Sequence, residues 1–143
     1  MAEQANEMAD WPKPSEGDFV WTEIASTDTK ACEDFYTKVF GWTFKHSTPS
    51  ADPGMDYIEF STTAGGNPSG GMYQIDPAWF GGTPPPPHFM TYVAVDDVDA
   101  NAKKAVELGG TVLRGPMDIP NVGRMCVIRD PTGAVFSTFM MKQ

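Results

Sequence analysis

Trp21-Thr-Glu-Ile-Ala-Ser-Thr-Asp28 and Met90-Thr-Tyr-Val-Ala-Val-Asp-Asp97 are two copies of one pattern. Each alternates side chains as a half-buried strand does, and each ends on an aspartate suited to cap a helix. The helix-like stretch after the first copy stops at Gly41, and the one after the second stops at Gly110. The copies lie 69 residues apart at every anchor: 21 and 90, 28 and 97, 41 and 110. Ile24 and Val93, Ala31 and Ala100, Val39 and Leu108, and Phe44 and Leu113 keep the same register. A duplication of this kind predicts two equivalent modules paired about a pseudo-two-fold axis, with a shared cleft between them.

Working outward from the first copy, 19–25 reads as a strand. The stretch after Asp28 reads as a helix with Ala31, Phe35, Val39 and Phe40 near one face, and Gly41 supplies its left-handed stop. Strands follow at 42–46, 57–62 and 70–75, with a loop at 47–54. The second copy repeats the order. A strand at 89–95 leads to a helix at 98–108, with Asp96, Asp97 and Asp99 near its positive end and Gly109-Gly110 closing it. Strands at 111–114, 125–129 and 134–141 complete it, with a loop through Pro116, Pro120 and Gly123 and a turn at Asp130-Pro131-Thr132-Gly133. Each module is strand–helix–strand–strand–strand. Between them, 76–87 holds Gly81-Gly82 and Pro84-Pro85-Pro86-Pro87, an extended spacer. The expected plan is a flexible tail at 1–16, a first module at 17–75, a linker at 76–87 and a second module at 88–143, with 17–143 forming one domain.

The 143 residues suffice for one core, and an apolar content of 41% fits a globular chain. A net charge of −9 opposes binding to phosphate backbones, so nucleic acid is not an expected partner. No apolar run reaches the roughly 20 residues of a membrane span, and the acidic start lacks the apolar core of a signal peptide. These features favour a cytoplasmic protein with no membrane partner. Cys32 and Cys126 belong to no CxxC motif and read as packed thiols.

The order of motifs resembles the vicinal oxygen chelate superfamily, which includes glyoxalase I, bleomycin-resistance proteins and extradiol dioxygenases. The resemblance rests on Phe35-Tyr36 before Val39-Phe40-Gly41-Trp42, on Val95-Asp96-Asp97-Val98-Asp99-Ala100, on Glu107-Leu108-Gly109-Gly110, on Gly123-Arg124 and on Asp130-Pro131-Thr132-Gly133. It covers roughly 17–141 and implies an α+β fold of two paired βαβββ modules forming an open, cup-shaped barrel. It also implies a divalent metal in the cup, held by His or Glu from the first and last strands of each module. The corresponding positions here are Trp21, Met90 and Ser137, with a fourth near Gly70 to Tyr73. None of these offers a suitable donor. No cofactor is therefore expected, and a shifted metal site would have only Glu23 and His88 to draw on.

Period-two alternation places Phe19, Trp21 and Glu23 on one strand face, and His88, Met90 and Tyr92 on its counterpart. The expected ligand-binding set is Trp21, Glu23, Met72, His88, Met90, Tyr92, Arg124, Ser137 and Phe139, with Cys126 nearby. Aromatic, apolar and sparsely polar, it suits a small molecule. Glu23 is the candidate catalytic acid or base, against the plainer reading of an ion pair with Arg124 or a hydrogen bond to Tyr92. His88 reads either as a solvated edge residue or as a catalytic one. Three functions compete. The first is metal-free binding of a hydrophobic or aromatic molecule, as in bleomycin-resistance proteins. The second is an enzyme, either a glyoxalase-type lyase or isomerase or a dioxygenase. The third is an interaction protein with a vestigial cup. The resemblance also implies a homodimer, to which Trp79 and Phe80 in the linker would lend an apolar surface.

Overall fold

The computed structural model describes residues 12–46, 56–80 and 83–142, without the side chains of residues 79 and 80. Most of the expected tail, the loop expected at 47–54, Gly81-Gly82 and the surface expected of Trp79 and Phe80 lie outside the described residues. The elements run β1 (Phe19–Ser26), α1 (Thr29–Phe40), β2 (Thr43–Lys45), β3 (Ile58–Ser61), β4 (Gly70–Gln74), a 3₁₀ turn (Pro77–Phe80), β5 (His88–Ala94), α2 (Val98–Glu107), β6 (Thr111–Ile119), β7 (Gly123–Arg129) and β8 (Val135–Met141). The class is α+β, and βαβββ occurs twice.

The duplication shows in the caps. Asp28 and Asp97 both have extended backbone, and each side chain accepts a 3.0 Å bond from the amide three residues on. At the other end the copies differ. Gly41 closes α1 in the left-handed region, its N–H reaching Thr37 O at 2.8 Å. In α2 the left-handed residue is Gly109, and Gly110 N–H reaches back to Ala105 O at 2.8 Å, a wider closing turn.

The chain forms two compact units that divide inside β1, after Trp21, and inside β5, after Met90. One unit holds β2, β3, β4 and most of β1, in the order β2-β3-β4-β1. β1 runs parallel to β4, and the remaining pairs are antiparallel. Its core is Ile24, Ile58, Phe60 and Met72, against which Cys32, Tyr36, Trp42 and Phe44 pack. The helix therefore turns Cys32 and Tyr36 inward. Phe35, Val39 and Phe40, expected near one face, are all more than half exposed.

The other unit holds α2 and the strand order β5-β8-β7-β6, with β5 parallel to β8. Val95, Val98, Ala102, Cys126 and Ile128 form its core. Residues 12–21 belong to this unit, where Gly17 N–H donates to Ala94 O and Ala94 N–H to Asp18 O, both at 2.8 Å. β6 runs on to Ile119, past the Gly115-Pro116 pair expected to end it near 114. Register shifts fall on either side of Arg114, the second absorbing Gly115-Pro116, and pairing with β7 resumes at Met117↔Met125.

Candidate functional site

In the unit of β1 to β4, register sorts the side chains by face. Ile24, Met72 and Ile58 are cross-strand partners on the side packed by α1. The next row, Glu23–Gly71–Glu59–Lys45, projects to the opposite side. Gly71 leaves a notch in that row, and Tyr57 fills it. A Cβ on Gly71 would overlap the Tyr57 hydroxyl and the adjoining ring carbons. From this seat the Tyr57 hydroxyl donates to Glu23 Oε2 at 2.6 Å, a length typical of a charge-assisted phenol–carboxylate bond. Both side chains are half-buried. Glu23 is thus held on the face turned away from the helix, with its carboxylate oriented by a phenol. Tyr57 escaped the sequence reading. Two residues before Glu59, alternation places it on the correct face, but only the register of Gly71 shows what it covers.

Met72, expected to bind ligand, is fully buried in the core under α1, so it is a packing residue. His88 is half-buried, and its Nδ1–H donates to Pro86 O at 2.8 Å, since a carbonyl can only accept. Met90 is half-buried on β5.

In the second unit, Tyr92, Ser137 and Val127 are cross-strand partners, and so are Ala94, Phe139 and Met125. The two rows share the face away from α2. Tyr92, Ser137 and Phe139 therefore lie together on this face, joined by Met125, whose sulfur accepts from the Tyr92 hydroxyl at 3.9 Å. All three are nearly enclosed, at 5%, 0% and 8% exposure. Trp21 is half-buried in the first part of β1. Cys126 and Arg124 alternate onto the other face. Cys126 lies in the α2-packed core, where burial pushes its thiol up and the charge of Asp99 adds to the effect. Arg124, expected at the ligand or paired with Glu23, is instead clamped by Asp99 at 2.8 and 3.0 Å and by Asp118 at 3.0 Å. The hydrogen bond from Arg124 holds the Asp99 carboxyl below the usual range.

The donor set does not fit the metal that the resemblance implies. Trp21, Met90 and Ser137, to which the resemblance assigns the ligand positions, carry no imidazole or carboxylate, and among the described residues no three His, Cys, Asp or Glu side chains converge as metal ligands.

The glyoxalase/bleomycin resistance protein/dioxygenase superfamily model matches residues 18–138. The anthracycline biosynthesis protein DnrV of Streptomyces peucetius is 36% identical over 83% of this chain and 45% of its own length. The putative glyoxylase CFP32 of Mycobacterium tuberculosis is 38% identical over 86% of this chain and 46% of its own. The chain thus spans about half the length of these curated relatives. Among solved structures, methylmalonyl-CoA epimerase from Mycobacterium tuberculosis superposes with a TM-score of 0.63 at 15% identity, covering 94% of this chain and 95% of that one. A Streptomyces coelicolor methylmalonyl-CoA epimerase variant in complex with 2-nitronate-propionyl-CoA gives 0.64 at 19% identity, covering 90% and 100%. At these identities the structural matches establish a shared fold.

Proposed function

The chain belongs to the glyoxalase/bleomycin resistance protein/dioxygenase superfamily, and from that premise we propose that it binds a small hydrophobic or aromatic molecule without the usual family metal. The observation that carries this reading is the Glu23–Tyr57 hydrogen bond on the face away from α1, a fixed polar anchor one row from the cross-strand partners Ala25 and Tyr73. Relatives named for anthracycline biosynthesis support it, because anthracyclines are fused aromatic ring systems. Calorimetric titration with planar aromatic compounds tests it. Saturable binding weakened by Glu23→Gln is the expected result, and stoichiometric metal in the purified protein, released by the same substitution, overturns it.

A second reading rests on the same bond. A carboxylate oriented by a phenol can take a proton from a carbon acid, and relatives named glyoxylase together with epimerase-like folds favour an isomerase or lyase. Exchange of substrate C–H for deuterium in heavy water, abolished by Glu23→Gln, would establish it. Family likeness also supports a cytoplasmic homodimer. A light-scattering mass of one chain refutes the dimer.

A further inference from the structure

The duplication supplies its own control for what the fold requires of a helix. Counting 69 residues on, Phe35 stands where the second module has Lys104, Phe40 where it has Gly109 and Trp42 where it has Thr111. Helix α2 packs on its sheet without those rings, burying Val98 and Ala102, so the fold does not demand them. On α1 the rings form one connected cluster within the unit of β1 to β4. The centre of the Tyr36 ring lies 5.1 Å from that of Trp42, 5.2 Å from Phe35, 6.1 Å from Phe89 and 6.2 Å from Phe40. Phe35, Val39, Phe40 and Phe89 are all more than half exposed. A contiguous aromatic surface of this kind is the material of protein interfaces.

The charges say which partner fits. Phe35 and Val39 lie one turn apart on α1, and the exposed Asp34 and Lys38 flank them on one side at the same spacing. A two-fold axis across this stripe reverses the partner helix end for end. It sets Asp34 against the partner's Lys38, and Lys38 against the partner's Asp34. The pattern is complementary to itself, as a contact between identical surfaces requires. The chain carries −9 overall, yet from Thr29 to Phe40 Lys30 and Lys38 balance Glu33 and Asp34. Two copies therefore meet here without adding to their mutual repulsion. Resting on the homodimer reading above, we infer that a second copy of this chain docks on the aromatic face of α1, helix against antiparallel helix, with Phe35 and Val39 at the centre. Glu23 projects from the opposite side of the sheet, so the contact does not cover it.

The test uses the full chain and reads mass against concentration by analytical ultracentrifugation. The wild type is expected to have the mass of two chains. Phe35→Lys borrows the second module's own residue at an exposed position, and is expected to raise the dissociation constant at least about a hundredfold. Lys38→Asp sets like charges across the axis and is expected to raise it about tenfold. Adding Asp34→Lys to that variant restores opposite charges, and is expected to bring the constant back to within about threefold of the wild type. The exchange keeps the inference testable if Phe35→Lys fails to fold. A two-chain mass unmoved by Phe35→Lys and by Lys38→Asp, or a double exchange as weak as the single one, overturns this face and leaves the homodimer reading standing. A one-chain mass of the wild type at every concentration overturns both, and leaves the patch to a different partner.

Discussion

Asp28 and Asp97 make the same contact 69 residues apart: each Oδ1 accepts from the backbone amide three positions on, at 3.0 Å. These bonds satisfy one otherwise orphaned donor at the start of each helix, and the ionised side chain sits at the positive end of the helix dipole. Asp28→Ala and Asp97→Ala should each destabilise the fold by about 1 kcal/mol, while Asn at either position should cost only a fraction of that. Urea denaturation of the four variants measures it. An alanine variant as stable as the parent would show that the cap contributes nothing at that site.

The caps were legible because they are local: sequence places an aspartate, then a helix. What sequence missed was non-local or rotational. One residue on a helix is 100°, so the broad apolar arc of α1 fits two neighbouring stripes equally well, and packing chose Cys32 and Tyr36 over Phe35 and Val39. Gly115-Pro116 reads as a strand end, but bulges carry β6 past it. Glu23 was visible by alternation within its own strand. Its partner Tyr57, 34 residues away, depends on the register of β3, β4 and β1, which pairs Gly71 with Glu23. Met72 was misplaced because nothing local tells which face of a short strand meets the helix.

His46 predicts a pH dependence. Its Nε2 lies 3.1 Å from Glu33 Oε2 on α1, and its Nδ1 lies 3.4 Å from Asp56 Oδ2. Two carboxylates, one at each ring nitrogen, call for the doubly protonated ring. Desolvation pulls the pKa down, but the hydrogen bond and charge of Glu33, followed by those of Asp56, outweigh it and set the net shift upward from 6.5. A folded-state pKa above the unfolded value gives stability that is complete below about 6.5 and fades as pH rises through the folded value. The ring is half-exposed, so the effect is small and screened by salt. The wild type should lose its advantage over His46→Gln as pH rises across that range. An advantage that grows with pH would contradict the sign.

Met72 separates packing from binding. It is fully enclosed beside Ile24, Ile58 and Phe60. Met72→Ala should therefore destabilise by about 2–5 kcal/mol, whereas Met72→Leu, nearly equal in volume, should cost less than about 1.5 kcal/mol. The leucine variant should also leave the affinity for planar aromatic compounds unchanged. A Met72→Leu protein that is stable but binds these compounds several-fold more weakly would return Met72 to the ligand site.

Gly70 and Gly71 are adjacent, yet their alanine variants should fail in different ways. At Gly70 a Cβ would collide with the Thr22 carbonyl oxygen and come within 2.6 Å of the Phe60 ring. The first obstacle is the backbone of the paired strand and the second is a core aromatic, so neither can yield without unzipping β1 from β4 or opening the core. At Gly71 the obstacle is the Tyr57 side chain, which is half-buried and can swing away. Gly70→Ala should thus lose several kcal/mol, beyond the 1–3 kcal/mol typical of overpacking, and reduce the folded yield. Gly71→Ala should stay folded, at a cost of roughly 1–3 kcal/mol for the displaced Tyr57–Glu23 hydrogen bond, and should bind planar aromatic compounds more weakly. Thermal melts alongside titration with planar aromatic compounds distinguish the two. If Gly71→Ala melts as early as Gly70→Ala, the Tyr57 ring is part of the rigid core rather than a side chain held in place to orient Glu23.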